Sequence, residues 1–384
     1  IPAYINQQFY TKDGVSIVPW GIDNKFPQFA DNLMYNDPDI PVIVQNKVNF
    51  LLGAKITPYI GKDPVFKIEV VDWFIKNRQW LNKLMHRSAK NLEMYGNYFI
   101  EVIFNPLGQV ASMRAIDAHK IRCVKMKSDE IEVSEYAVRT SPLDSIEETY
   151  AIVKSIKQFD LKKNGFRYII HGKDECPGQD YYSAPVWIGA TKKIQIQAKS
   201  FEAITYAFEN AWNVKYILHV NEKYYNGLTD AEKQVKKQAL KEELNRVLLG
   251  TSGVGKTIVS ETISNYNGVY ADMIKLEPIN AETFNESFVK LIERIGNTQS
   301  RHFNIDPELA GIMNEQNMSS GSEIRNKYNL HVALKTPVPR SILLEPLEVI
   351  KKSYKWPELI EFKFEDFQIT TTDAVPSGIQ KIVS

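Results

Sequence analysis

The sequence predicts an α+β fold in which helices bracket a β-rich middle, two helices flank a small α/β insert, and a long Pro-kinked helix follows. Three observations carry this reading. The hydrophobic period switches from helical to alternating at Asn97. Helical stripes stand on both sides of a Gly-rich, β-branched stretch, over 229–249 and 280–304. A later helical run starting near Ser320 is interrupted by Pro337, Pro339 and Pro346.

Taken in order, residues 1–30 are aromatic and punctuated by Pro and Gly: Tyr4, Phe9, Tyr10, Pro19, Trp20, Phe26 and Pro27. They predict an extended arm whose rings are covered by another part of the fold or by a neighbouring copy. A short helix is expected from Pro41 to Leu52, ended by Gly53, then two more over Phe66–Asn77 and Trp80–Tyr95. Asn97–Phe104 alternates as a strand, Asn105-Pro106-Leu107-Gly108 is a turn, and Val110–Ile116 returns as its partner. Ile121–Met126, Ile131–Val138 and Phe166–Ile170 extend the sheet, while 140–165 reads as polar and irregular. Ala184-Pro185 opens a helix toward Ala211, with Pro where a first turn tolerates it. Trp212–Val220 reads as a strand. Thr229-Asp230-Ala231-Glu232 is a capping box. It leads a helix with Ala231, Val235, Ala239, Leu240, Leu244, Val247 and Leu248 at helical spacing. The partner helix carries Phe284, Phe288, Leu291, Ile292 and Ile295, and Ile360–Phe367 alternates as a final strand.

Composition narrows the function classes. With 384 residues, 43% hydrophobic and 24% charged, the chain suits two or three folded domains. A net charge of +1 supplies no global field for nucleic acid, so any DNA contact has to come from local patches or geometry. Cys123 and Cys176 stand far apart, in the pattern of a reduced chain, and the six histidines lack metal-ligand or triad spacing. No catalytic residue, metal site or cofactor is expected. No apolar run approaches the ~20 residues that span a bilayer.

One motif argues for chemistry. Gly250-Thr251-Ser252-Gly253-Val254-Gly255-Lys256-Thr257 matches the phosphate-binding Walker A pattern. That loop works between a buried strand and a helix whose N-terminus faces the phosphates. Here a charged helix precedes it and the strand-like Ile258–Ile263 follows. A glycine turn into a β insert is the plainer reading, and an ATP-binding enzyme is the alternative.

The assembled pieces resemble the portal proteins of tailed bacteriophages, the ring at the capsid vertex. Tyr95-Gly96-Asn97-Tyr98 resembles the Gly-Asn-Ala-Tyr stretch of that family, and Tyr182-Ser183-Ala184-Pro185 its Gly-x-Ser-Pro helix start. Gly250–Thr257 resembles its Gly-rich segment between stem helices. Asp306-Pro307-Glu308-Leu309-Ala310-Gly311 with Ser320–Lys327 resembles its Pro-rich step, polar loop and following helix.

The resemblance implies a portal-like architecture: an arm (1–30), a wing (31–228), stem helix 1 (229–249) and a clip (250–279). Stem helix 2 (280–304), a tunnel-loop region (305–320), and a kinked wing helix with a C-terminal segment and reduced crown (321–384) complete it. It further implies a non-enzymatic ring of twelve copies in the virion, assembled in the bacterial cytoplasm, through which double-stranded DNA is packaged and ejected. Implied partners are the large terminase, a head–tail adaptor and the major capsid or scaffold protein, with no membrane. Channel residues would be Lys290, Arg294, Arg301, Asn314, Gln316, Asn317 and Met318; clip contacts would be Gly250, Ser252, Lys256, Asn265, Tyr266 and Asn267. Charge supports a bore. Residues 229–250 hold five basic and four acidic side chains and 281–303 hold three of each, so a ring of such helices would not grip phosphates. Glu286 with Lys290 also suits an ordinary i, i+4 pair on a solvated face. Another oligomeric virion protein, joined through the aromatic arm, is the remaining alternative.

Overall fold

The computed structural model describes residues 10–12, 14–21, 23–61, 63–64, 68–143, 148–159, 166–209, 214–249, 256–262, 274–278, 298–312 and 321–368. They fall into two units, Ile1–Ile194 with Gly296–Ser384, and Gln195–Ile295.

Of the rings of the expected arm, Trp20 and Phe26 are buried within the first unit itself, while Tyr4 and Phe9 lie outside the described residues. Strands β1 (Tyr10–Lys12) and β2 (Val15–Ile17) pair as a hairpin, and helix α1 (Phe26–Tyr35) starts inside the stretch read as extended. Trp20 and Phe26 are fully buried. Trp20 stacks on Tyr182 with centroids 4.6 Å apart, and Phe26 lies 6.4 Å from Trp187. Each such ring hides roughly 150–250 Å², so the chain itself supplies the cover for these rings.

Helix α2 (Ile40–Leu52) ends at Gly53, which takes a positive φ of 59° and sits against the Glu365 carbonyl. The next strand, β3 (Lys55–Ile60), pairs with the two-residue β4 (Asp63–Pro64). Helix α3 (Ile68–Tyr95) is one continuous 28-residue helix where two were expected. Arg78 and Gln79 contain no breaker, and Trp73 and Trp80, two turns apart, share a face at 6.1 Å.

The sheet follows. Strands β5 (Asn97–Phe104), β6 (Val110–Ile116), β7 (Ile121–Cys123), β8 (Glu135–Arg139), β9 (Tyr150–Ser155) and β10 (Arg167–Lys173) lie in the order β6-β5-β10-β9-β8-β7. The β5–β6 hairpin stands as expected. The strand expected over Ile131–Val138 begins only at Glu135, and Ile131 is exposed. Within the stretch read as irregular, β9 runs parallel to β10. Val186–Ala190 is a 3-10 turn rather than the start of a helix; helix α4 (Thr191–Glu209) follows it across the unit boundary.

In the second unit, β11 (Val214–Asn221) is the central strand of a three-stranded sheet. Helix α5 (Asp230–Leu249) intervenes before β12 (Lys256–Thr262), which is parallel to β11, and β13 (Ile274–Pro278), which is antiparallel. The strand ahead of the first stem candidate thus shares a sheet with the two strands of 250–279.

Back in the first unit, α6 (Gly321–Lys335) and α7 (Pro337–Ser353) meet at Thr336, the break that Pro337 and Pro339 predicted. Strand β14 (Ile360–Glu365) then closes on β3. Pro346 lies buried inside α7, which runs through it instead of stopping. The compensation is visible. Proline cannot donate to the carbonyl four residues back, and that carbonyl, of Ile342, instead accepts the Tyr98 hydroxyl at 2.6 Å.

This pairing makes a prediction. Tyr98→Phe strands the Ile342 carbonyl and is expected to cost about 1–3 kcal/mol. In a Pro346→Ala background, where a backbone N–H returns, the same change is expected to cost clearly less. Denaturant unfolding of the four proteins measures this coupling; equal costs in both backgrounds would contradict it.

Candidate functional site

Two stretches singled out in the sequence meet in space. Asn97 Nδ2 donates to the Tyr95 and Ser183 carbonyls at 2.9 and 2.8 Å. Its Oδ1 accepts the Ser183 backbone N–H at 3.0 Å. The same oxygen lies 3.0 Å from His171 Nε2, so that nitrogen carries the proton and Nδ1, 3.3 Å away, accepts from the Tyr136 hydroxyl. Burial holds the imidazole well below its usual pKa, in keeping with this neutral tautomer. Gly96 has φ +70°, and a Cβ there would lie 2.8 Å from the backbones of Ala184 and Pro185. Gly96-Asn97 therefore binds the entry to α4 directly to the end of α3 and the start of β5.

A second group of contacts fixes the segment 298–312. Phe303 is buried and stacks on Trp187 at 6.1 Å. Gln299 donates to Asp37 at 2.6 Å, and Asn46 donates to the Leu309 and Ala310 carbonyls at 3.3 and 3.1 Å. From α6, Lys327 reaches Glu308 at 3.0 Å and Glu323 at 3.1 Å. The residues before 313 are thus fixed by the Asn46 contacts, and Lys327 ties the helix that begins at Gly321 to Glu308.

In the second unit, Glu232 reaches back to the Thr229 backbone N–H at 2.8 Å, as a capping box requires. The Thr229 hydroxyl, however, donates to the same carboxylate at 2.7 Å instead of accepting a helix N–H. Lys236 and Lys237 lie over the rings of Tyr224 and Tyr225 at 5.0 and 5.7 Å, and Leu240 packs against the buried Val220 and Tyr225. Ala231, Val235 and Ala239, three of the apolar residues at helical spacing, are exposed, Val235 to 71%.

Of the sequence-derived channel residues, Arg301 is exposed on the helical turn before Phe303. Lys290, Arg294, Asn314, Gln316, Asn317 and Met318 lie outside the described residues. Of the clip residues, Lys256 opens β12; Gly250, Ser252, Asn265, Tyr266 and Asn267 also lie outside them. Lys256 and Thr257 occupy a strand paired in parallel with β11. A phosphate-binding loop needs these two residues at a helix N-terminus, so the ATP-binding alternative loses its geometric basis. Among the described residues no group of three or more His, Cys, Asp or Glu suits a metal, and no helix is long and apolar enough to cross a membrane.

Sequence reasoning missed two buried charge clusters. Glu101, 1% exposed, pairs with Arg114 and Arg167 from the neighbouring strands. Lys47 pairs with Glu93 beside His331, in a cavity of about 90 Å³. Glu101 is the one charged residue of β5, with apolar neighbours on either side, and that could have flagged it. Nothing in the sequence brings Lys47 to His331. Burial, reinforced by Lys47, pushes the His331 pKa down to about 4.

Comparison with known proteins finds fold likeness alone. No protein-family model matches the chain, and no curated protein does. Among solved structures, it resembles a chain in the neck of an empty GTA particle computed with C6 symmetry. That match has a TM-score of 0.61 and 13% identity over 88% of this chain and 84% of the other. A chain in the virion of a native gene transfer agent particle gives 0.60 and 11% over 88% and 83%. A chain in the neck of the native particle, computed with C12 symmetry, gives 0.58 and 13% over 91% and 86%. The mixed helix and strand fold described above is therefore the fold of these neck and virion chains.

His331 yields a pH prediction. Its folded pKa lies below the unfolded value of 6.5, so below that pH the unfolded chain takes up a proton that the folded chain refuses. This stability is complete above pH 6.5 and is lost as pH falls toward 4. His331→Gln is expected to lose less melting temperature than wild type between pH 7 and 5, measured in matched buffers. Parallel losses would contradict the assignment.

Proposed function

We propose that this chain is a portal protein: a non-enzymatic ring at a capsid vertex through which double-stranded DNA passes. The observation that carries the reading is the fold shared, over 88–91% of this chain, with chains of particle necks, one of them computed with twelvefold symmetry. In this reading α5 and the segment 280–304 are the stem, 250–279 is the clip that meets the packaging motor and later the neck proteins, and 314–320 faces the DNA. Two features of the chain support it. The exposed Ala231, Val235 and Ala239 give α5 a small-residue face that suits side-by-side packing in a ring. The anchors on both sides of 314–320 suit a loop that must hold its place beside a moving polymer.

Near-balanced charge along the stem fits sliding better than gripping. Lys290, Arg294 and Arg301 are the proposed channel-facing cations, and replacing Lys290 and Arg294 by Ala is expected to alter DNA packaging or retention.

Assembly is tested at Val235. A carboxylate placed on this face by Val235→Glu is expected to shift the assembly from about twelve copies toward small species in light scattering, with circular dichroism unchanged. Rings of undiminished mass would remove α5 from the interface.

A further inference from the structure

Helix α3 carries a one-sided charge. Its residues 76–90 hold five cations, Lys76, Arg78, Lys83, Arg87 and Lys90, and no carboxylate. At about 3.6 residues per turn, Lys76, Lys83, Arg87 and Lys90 fall within ~60° of one another and run about 21 Å along the helix. All four are exposed, on the side opposite the buried Leu81, Leu84, Met85, Ser88 and Leu92.

The cations of this stripe repel one another. Lys83 and Arg87 stand at i, i+4 and Arg87 and Lys90 at i, i+3, spacings at which like charges destabilise a helix. Elsewhere in the chain the same spacings hold opposite charges: Lys327 with Glu323, Lys351 with Glu348, and Lys233 with Asp230. Among the described residues none of the stripe cations makes an ion pair. Asp72 precedes Lys76 by one turn without pairing. Glu93, beyond Lys90, is taken by Lys47, and Asp31, which feels the charge of Lys90, is taken by His119.

A row of unpaired cations is complementary to a polyanion. Between Gln79 and Lys90 the exposed side chains are Gln79, Asn82, Lys83, Arg87 and Lys90, none of them apolar. A protein partner or a membrane surface calls for an apolar centre, whereas a phosphate backbone needs only the charge. The length also fits, since ~21 Å of helix spans roughly six base pairs of duplex. With a net charge of +1 the chain has no general field for DNA, so the attraction is local to this stripe.

We propose that the exposed stripe of Lys76, Lys83, Arg87 and Lys90 on α3 is a sequence-independent contact for the phosphate backbone of double-stranded DNA. It shares no residue with the proposed channel and does not rest on ring formation. The test titrates the purified full chain into a closed circular duplex, which cannot thread a finished ring, so a bore adds nothing to binding. Wild type is expected to bind with an affinity that falls steeply with salt. Lys83→Gln/Arg87→Gln/Lys90→Gln is expected to bind at least ~tenfold more weakly at low salt. It should also lose about 2–3 from the slope of log affinity against log salt. Its melting temperature is not expected to fall, because the change removes like-charge neighbours. Lys125→Gln/Lys127→Gln/Lys157→Gln, which removes the same charge from another part of the unit, is expected to keep the wild-type slope. A stripe variant that binds as wild type does, or a control that loses as much, would overturn the proposal. So would a wild type that ignores the circle, and its capture by phosphatidylglycerol vesicles instead would assign the stripe to a membrane. Light scattering on the same samples reports ring assembly separately, so failure of either reading leaves the other standing.

Discussion

The carboxamide of Asn97 is the constraint on which most of the first unit depends. It bonds both the N–H and the carbonyl of Ser183, accepts a hydrogen bond from a neutral His171, and donates to the Tyr95 carbonyl. Its neighbours in sequence act on other elements. Gly96 lets the backbone pass against Ala184 and Pro185, where a side chain would collide. Tyr98 lies over Gly172 and caps the carbonyl that Pro346 leaves open in α7. Three consecutive residues thereby join α3, the six-stranded sheet, the entry to α4 and the last long helix. Tyr95, Asn97, Tyr98 and Ser183 are buried, and a lost partner there would leave a polar atom unsatisfied at about 1–3 kcal/mol.

From that junction the rings carry order outward. Trp20 stacks on Tyr182, Phe26 on Trp187, and Trp187 on Phe303. The N-terminal stretch, the turn before α4 and the segment at 298–312 therefore share one aromatic path. The described residues on either side of the stretch proposed to face DNA are fixed, Leu309 and Ala310 by Asn46 and Glu308 by Lys327 of α6. Function, on this account, sits on segments held by the core and not within it. The buried Glu101 and Lys47 sit in ion pairs suited to packing.

Much of this was legible in the sequence, and the failures have physical reasons. The β5–β6 hairpin, the helix ending at Gly53, the start of α5 and the break before Pro337 are local signals, each written within a few residues. The pairing of β3 with β14 joins residues about three hundred positions apart, and Pro58 argues against a strand there. Among the described residues β4 pairs only with Tyr59 and Ile60, so its ladder asks no bond of Pro58. The expected division of α3 between Asn77 and Trp80 has no breaker behind it, and the helix runs through. The apolar spacing of α5 was sound as helix periodicity, but periodicity alone does not say whether a face meets its own chain or another copy. Asn97 and Ser183 were both singled out through a family resemblance, and only their three-dimensional meeting shows why the two motifs belong together. The channel and clip residues fall mainly outside the described residues and remain proposals.

The central claim is that this fold builds a ring around an open axis. Imaging of the purified full chain by electron microscopy, with mass from light scattering, tests it most directly. The account predicts rings of about a dozen copies with a central opening wide enough for a DNA duplex. A closed assembly with no axial opening, or a chain that stays a monomer or dimer even in the presence of its capsid and scaffold proteins, would contradict it.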